Sequence, residues 1–144
     1  FVIFLVVIYL NASKIKFNRF IICQIIIILT YFHENNIMCR NIRLESFIID
    51  TDGYLKLYDM SFSKKINNQY TFTICGTPNY LSPEIILCKG HSYESDLWSI
   101  GVLTYEILFG IDPFYGENIM DIFDNILNLK VVFPSEIENP NFNM

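Results

Sequence analysis

The stretch ICGTPNYLSPEIILCK, residues 74–89, decides how the rest of the chain is read. Gly76-Thr77-Pro78 predicts a tight turn, because glycine tolerates positive φ and proline fixes φ at about −65°. Ser82-Pro83-Glu84 predicts the start of a helix. Proline suits a first helical position, and glutamate favours the positive end of the helix dipole. A turn followed by a helix accounts for this punctuation but not for the order of the residues between. That order sets a register in which every other position can be inspected in turn.

Working outward, 144 residues that are 52% hydrophobic and 17% charged suffice for one domain with a real core, or one lobe of something larger. The apolar runs are short. Phe1 to Leu10 and Ile25 to Leu29 both fall below the roughly 20 residues that cross a bilayer. The first run lacks a basic n-region and a small-residue cleavage site, so it makes a poor signal peptide. Both runs are expected to be buried, with no membrane span. Cys23, Cys39, Cys75 and Cys88 form no CxxC pair and no metal-ligand spacing. They read as small buried or partly buried hydrophobes in a reducing, cytoplasmic compartment. His33 and His91 are too few to build a metal site.

The net charge of −5 is unevenly spread. Residues 1–72 carry eight Lys and Arg against five Asp and Glu, whereas residues 73–144 carry two against ten. No basic face of the kind that binds nucleic acid is present. The acidic half suits a basic peptide, or is simply a solvated acidic surface. The chain begins at Phe1 rather than Met and ends in an Asn-rich tail after Pro134, and it reads as a fragment.

Phe17 to Tyr31 is too long and apolar for an ordinary strand and is predicted to be a buried helix, ended by Asn35-Asn36. Phe47 to Asp50 and Tyr54 to Leu57 flank Asp52-Gly53 and predict a short hairpin. Lys64 to Gly76 is polar and predicted to be a mobile loop. Ser95 to Gly110 is predicted to be a helix with Asp96 near its N-cap, and Asn118 to Leu129 a further amphipathic helix.

This order, together with residues 74–89, resembles the C-terminal lobe of a eukaryotic protein kinase. Residues 74–89 themselves resemble the GTPxYxAPE end of the activation segment. Arg19 to Phe133 lies along that lobe with no large gap, residues 1–18 match poorly, and 134–144 form a tail. Within the family, Glu84 to His91, Asp96 to Gly101 and Tyr105-Glu106 are similar to the AGC group, particularly the cAMP- and cGMP-dependent serine/threonine kinases. The resemblance implies a mainly α fold, helical with a small β-hairpin, in which residues 1–144 form a partial kinase domain and the N-terminal lobe is missing. MgATP is the implied cofactor. No GxGxxG occurs and no lysine precedes Lys14, so this chain is expected to hold half a nucleotide site at most.

The resemblance also assigns positions one by one. The catalytic base position falls in Met38-Cys39-Arg40-Asn41, where the family's aspartate is replaced by Asn41. An amide hydrogen-bonds a hydroxyl but takes no proton from it, and such a base typically contributes about 10²–10⁴ in rate. Arg43 stands for the lysine on the transferred phosphate, and a planar fork replaces a compact ammonium poorly. Ser46 stands for the asparagine of a second Mg²⁺ site, a shorter and weaker oxygen ligand. DFG is matched by Asp59-Met60-Ser61, with Asp59 as the retained metal ligand and Ser61 in place of a glycine. Only one of the three groups that organise base and metals survives, the pattern of a pseudokinase.

Other positions match. Thr73 stands for the activation-loop phosphothreonine, with Arg40 and Lys64 as its partners. Thr77 stands for the threonine bridging base and lysine. Glu45 and Glu106 match acidic residues that recognise arginines of a substrate. Ile74, Pro78 and Leu81 match the pocket for the residue after the phosphosite. Asp96 and Trp98 match a helix that braces the catalytic loop, Asp96 through backbone amides near Arg40. Glu84 is expected to be unpaired, since no arginine follows it. The implied partners are a basic peptide or protein, as substrate or pseudosubstrate, and regulatory kinase partners. Three outcomes stay open: a docking lobe without turnover, a weakly active full-length kinase, and an incomplete gene product without function.

Overall fold

A computed structural model describes residues 12–67 and 69–131. The run Phe1 to Leu10 and the tail after Pro134 lie outside them. Helix α1 spans Ala12–Glu34. Ile21, Ile22, Ile25 and Leu29 recur at helical spacing and are buried, which fixes the face turned to the core. Phe17, Phe20, Ile26, Ile27 and Tyr31 are exposed on the remainder, so the helix expected to be buried is buried on one stripe only. Its end follows from the asparagines. Asn35 Nδ2 donates to the Tyr31 carbonyl at 2.7 Å, and Asn36 takes the left-handed conformation with φ 61°.

Two small antiparallel pairs follow. Strand β1 (Ile37–Met38) pairs with β4 (Lys64–Lys65), while β2 (Phe47–Ile49) pairs with β3 (Leu55–Leu57) as the predicted hairpin. Gly53 supplies φ 81° in the hairpin turn. The Gln24 side-chain oxygen of α1 accepts from the Leu55 amide at 2.8 Å, docking the hairpin on the helix.

The segment expected to be a mobile loop is tied down at three points. Lys64 and Lys65 belong to β4, Ile66 is buried with its amide on the Asn36 carbonyl, and Thr71 pairs with His91. An apolar Ile66 and a threonine at a bridge were the anchors that polar composition concealed.

Helix α2 is one turn, Pro83–Ile86, with proline at its start as expected. Helix α3 spans Glu94–Phe109 and sends Ile100, Val102 and Leu103 into the core. Gly110 closes it in the left-handed region, φ 72°, its amide on the Glu106 carbonyl at 2.8 Å. Asp96 lies near the N-cap as expected, in the first turn, and its carboxylate accepts from the backbone of residues 39–40 rather than from its own helix. Helix α4 is Ile119–Leu127, capped by Asn118 accepting from the Asp121 amide at 3.0 Å. One core unites these parts: Ile25 and Leu29 of α1, Ile100 and Leu103 of α3, Tyr80, Phe114, and Ile126 of α4. The cysteines are all free, but Cys23 and Cys88 are exposed rather than buried.

Candidate functional site

The segment Cys39–Ser46 is held from beneath by α3. Asp96, fully buried, accepts from the Cys39 amide at 2.8 Å, the Arg40 amide at 2.7 Å and His33 Nε2 at 2.8 Å. Those bonds stabilise a backbone in which Arg40 has φ 65°, a conformation that costs a non-glycine residue free energy. Burial beside the Asp96 carboxylate also pushes the Cys39 thiol well up, so it is no nucleophile.

Asn41 is buried, and its side-chain oxygen accepts from the Thr77 hydroxyl at 3.1 Å. Its carbonyl accepts from the Ser46 hydroxyl at 2.8 Å. The Ser46 carbonyl in turn receives the amides of Tyr58 at 2.9 Å and Asp59 at 3.4 Å. This chain of bonds brings Asn41, Thr77, Ser46 and Asp59 together. Arg43 lies close by, its Nε 3.8 Å from a Glu45 carboxylate oxygen, and no bond joins it to Thr77 among the described contacts.

Asp59 sits at the surface with one oxygen engaged by its own neighbour. Ser61 donates to Oδ1 from its hydroxyl at 2.7 Å and its amide at 3.0 Å. The hydroxyl bond, then the amide bond, hold the carboxyl below its usual range, with a smaller pull from Arg43. The pattern Asp-x-Ser is a local turn motif, so this capture was legible in the sequence and was missed.

The donor set does not fit the second of the two metals that the family would place here, and offers Asp59 alone to the first. Ser46 has no exposed surface and directs its hydroxyl into the backbone. Asp59 is left as the one carboxylate at the position, and among the described residues no group of three His, Cys, Asp or Glu could hold a metal ion. Millimolar MgATP is therefore expected to leave the melting temperature of this chain unchanged, since stabilisation scales as RT ln(1 + [L]/Kd). A rise of several degrees that Asp59→Ala removes would overturn this.

The segment leading to residues 74–89 is fixed by a second set of bonds. Thr71 and His91 exchange backbone bonds at 2.9 Å, and Phe72 packs so tightly on Gly90 that a Cβ there would lie 2.8 Å from the ring. Lys64 donates to the Thr71 hydroxyl at 3.0 Å, and Arg40 Nε to the Phe62 carbonyl at 2.6 Å. Thr73 itself is exposed. Gly76 explains the turn: its φ is 115°, and a Cβ would meet the Arg40 carbonyl oxygen at 2.8 Å. Gly76→Ala is expected to destabilise the fold by about 1–3 kcal/mol, read from the urea midpoint. An unchanged midpoint would mean the turn relaxes freely.

Of the residues matched to peptide docking, Ile74 is exposed, Pro78 half-buried and Leu81 buried beneath Gly76, so Leu81 underlies that surface and does not line it. Glu106 accepts a hydrogen bond from the Tyr80 hydroxyl. Burial, then Glu106, push the phenol strongly upward, and Asp112 and Glu45 act on it in the same sense. Glu106 thus contacts the buried tyrosine directly, while Asp112 and Glu45 act on it only through their charge. Asp112, which also accepts from Asn79 Nδ2 at 2.6 Å, is a residue that the sequence did not single out.

Glu84 was expected to be unpaired. It accepts from the Ser95 hydroxyl at 2.7 Å, and Ser82 donates to Ser95 at 3.0 Å. Burial alone would raise its carboxyl, but the hydrogen bonds of Ser95 and Ser82 outweigh this and lower it. Trp98 stacks on Phe114 with ring centroids 5.8 Å apart and planes 10° from parallel.

Residues 9–143 match the protein kinase domain family, and the chain belongs to it. Its relatives place it in the AGC group. It is 42% identical over 83% of its length to the cAMP-dependent protein kinase catalytic subunit of Schizosaccharomyces pombe. It is 41% identical over 94% to protein kinase C-like 1 of Caenorhabditis elegans, and 40% over 89% to the cAMP-dependent protein kinase catalytic subunit PRKX of Homo sapiens. The chain spans 23%, 21% and 34% of the lengths of these three relatives, in that order. No helix among the described residues is long and apolar enough to cross a membrane.

Proposed function

We propose that this chain is the C-terminal lobe of a cytosolic AGC-type serine/threonine kinase-like protein that docks basic peptides but transfers phosphate poorly. The observation that carries this is Asn41. Its amide occupies the position from which a carboxylate would accept the substrate proton, and it is held there by the Thr77 hydroxyl at 3.1 Å. An amide in that place orients a hydroxyl without deprotonating it. Two further features support impaired chemistry: Ser46 is buried and self-satisfied, and Ser61 engages the Asp59 carboxylate. Four free cysteines suit a reducing compartment.

Docking is supported by the charge of Glu106, Asp112 and Glu45 acting at Tyr80, and by the exposure of Ile74 and the half-burial of Pro78. A cluster of carboxylates attracts arginine or lysine side chains of a partner. Within this function Thr73 is the phosphosite of the segment, and Arg40 and Lys64 are its partners. The test is radiolabel transfer by the full-length protein to an arginine-rich peptide, beside direct binding of that peptide by calorimetry. Binding that Glu106→Ala weakens, with turnover at the level of Asp59→Ala, is the expected result. Robust turnover abolished by Asp59→Ala would show that Asn41 is tolerated.

A further inference from the structure

Three basic residues touch the chain leading to Thr73: Lys64 and His91 meet it at Thr71, and Arg40 meets it at Phe62. Thr71 and His91 form an antiparallel pair through two backbone bonds of 2.9 Å, so their side chains leave the same face. On that face the Thr71 hydroxyl already receives the Lys64 ammonium at 3.0 Å. His91 is 3% exposed, and its Nε2 has no hydrogen-bond partner among the described residues. Nη1 of Arg40, whose Nε reaches back to Phe62 of the same segment, is likewise buried and unpartnered. Buried polar nitrogens are rarely left unpaired, because each forfeits its hydration without return.

The nearby carboxylates do not supply the missing acceptor. Asp96 is turned to Cys39, Arg40 and His33 by its three bonds, and Glu84 to Ser95. Lys64 and His91 share the Thr71 face, and the charges of Arg40 and Lys64 both act on the His91 ring, so two orphaned nitrogens and an ammonium offer a place for an anion with several oxygens. We propose that His91 is the titratable third arm of an anion cradle with Arg40 and Lys64, holding the phosphate of phosphorylated Thr73 more tightly when its ring is protonated. This rests on Thr73 being the phosphosite.

The sign of the effect follows from the groups around the ring. Burial first, then Arg40, disfavour the protonated form, Glu84 and Asp96 favour it, and Lys64 disfavours it again, leaving the ring below the usual histidine range. Without an anion, His91 therefore contributes stability that is complete above the unfolded pKa of about 6.5 and is lost as pH falls through its lower folded value. An anion in the cradle offsets Arg40 and Lys64 and raises the ring pKa. By linkage, the anion then binds more tightly as pH falls.

Sulfate is the probe for this, because its charge is constant across the range in which histidine titrates. The ring signals of the full-length protein are followed by NMR from acid to alkaline pH, with His91 assigned by the loss of its signal in His91→Phe. The expected result is a His91 pKa raised by about one unit in saturating sulfate, a tenfold gain in sulfate affinity across the titration. Phosphorylation of Thr73 without sulfate is expected to raise it likewise, and Lys64→Ala to weaken sulfate binding. Sulfate binding that Lys64→Ala weakens while the His91 pKa stays fixed would overturn the role of His91 and leave the cradle standing. No Lys64-dependent sulfate binding would overturn the cradle itself. A shift with sulfate but none on phosphorylation would keep His91 as an anion-sensing arm and reject Thr73 as the source of the anion.

Discussion

Asp96→Ala is expected to cost about 3–5 kcal/mol, the range found when one partner of a buried, multiply bonded charged group is removed. Two of the three donors it abandons are the backbone amides of Cys39 and Arg40. The Arg40 backbone, at φ 65°, would then lack the bonds that hold it in an unfavourable region. The loss is read as a fall in the urea midpoint of the full-length protein and, more specifically, as faster hydrogen exchange at the Cys39 and Arg40 amides than at the β2–β3 hairpin. Asp96→Asn, which keeps the shape but offers one acceptor oxygen in place of two, is expected to fall between. If Asp96→Ala left exchange at Cys39 and Arg40 unchanged, the carboxylate would not be what orders this turn.

The second large effect concerns repair of the chemistry. Asn41→Asp restores a proton acceptor, and the Thr77 hydroxyl is already in place to hydrogen-bond it. Ser46→Asn extends the side chain by an amide from a site now closed on itself by the bond to the Asn41 carbonyl. The two changes act on one transition state, so their effects on rate are expected to be strongly non-additive. Native full-length protein is expected to show negligible transfer and Asn41→Asp little more. The double variant is expected to gain about a hundredfold or greater over native, within the range of a general base. Gains that simply multiply between the two single variants would mean that base and metal defects act on separate steps.

Much of this protein was legible in local sequence. Gly76, Pro83 and Gly110 are backbone punctuation, and each sits where its own φ preference requires. The hairpin around Asp52-Gly53 and the end of α1 at Asn35-Asn36 are equally local. The identity of Asn41, at the proposed base position, needed only the register set by residues 74–89.

The tertiary structure decided what composition cannot carry, namely which side chain meets which across long stretches of chain. Polar content made Lys64 to Gly76 look like a loose loop. Yet its anchors are pairings with distant backbone: Lys65 with Ile37, and Thr71 with His91. Asp96 reads locally as a cap, and the family resemblance implied bonds to backbone amides near Arg40; the packing of α3 under residues 39–40 supplies the geometry for them, 56 positions earlier in the chain. Tyr80 meets Glu106, and Asn79 meets Asp112, because separate elements close on a common core. Local preference is written in each residue's own backbone, whereas these contacts exist only once burial has chosen which faces meet.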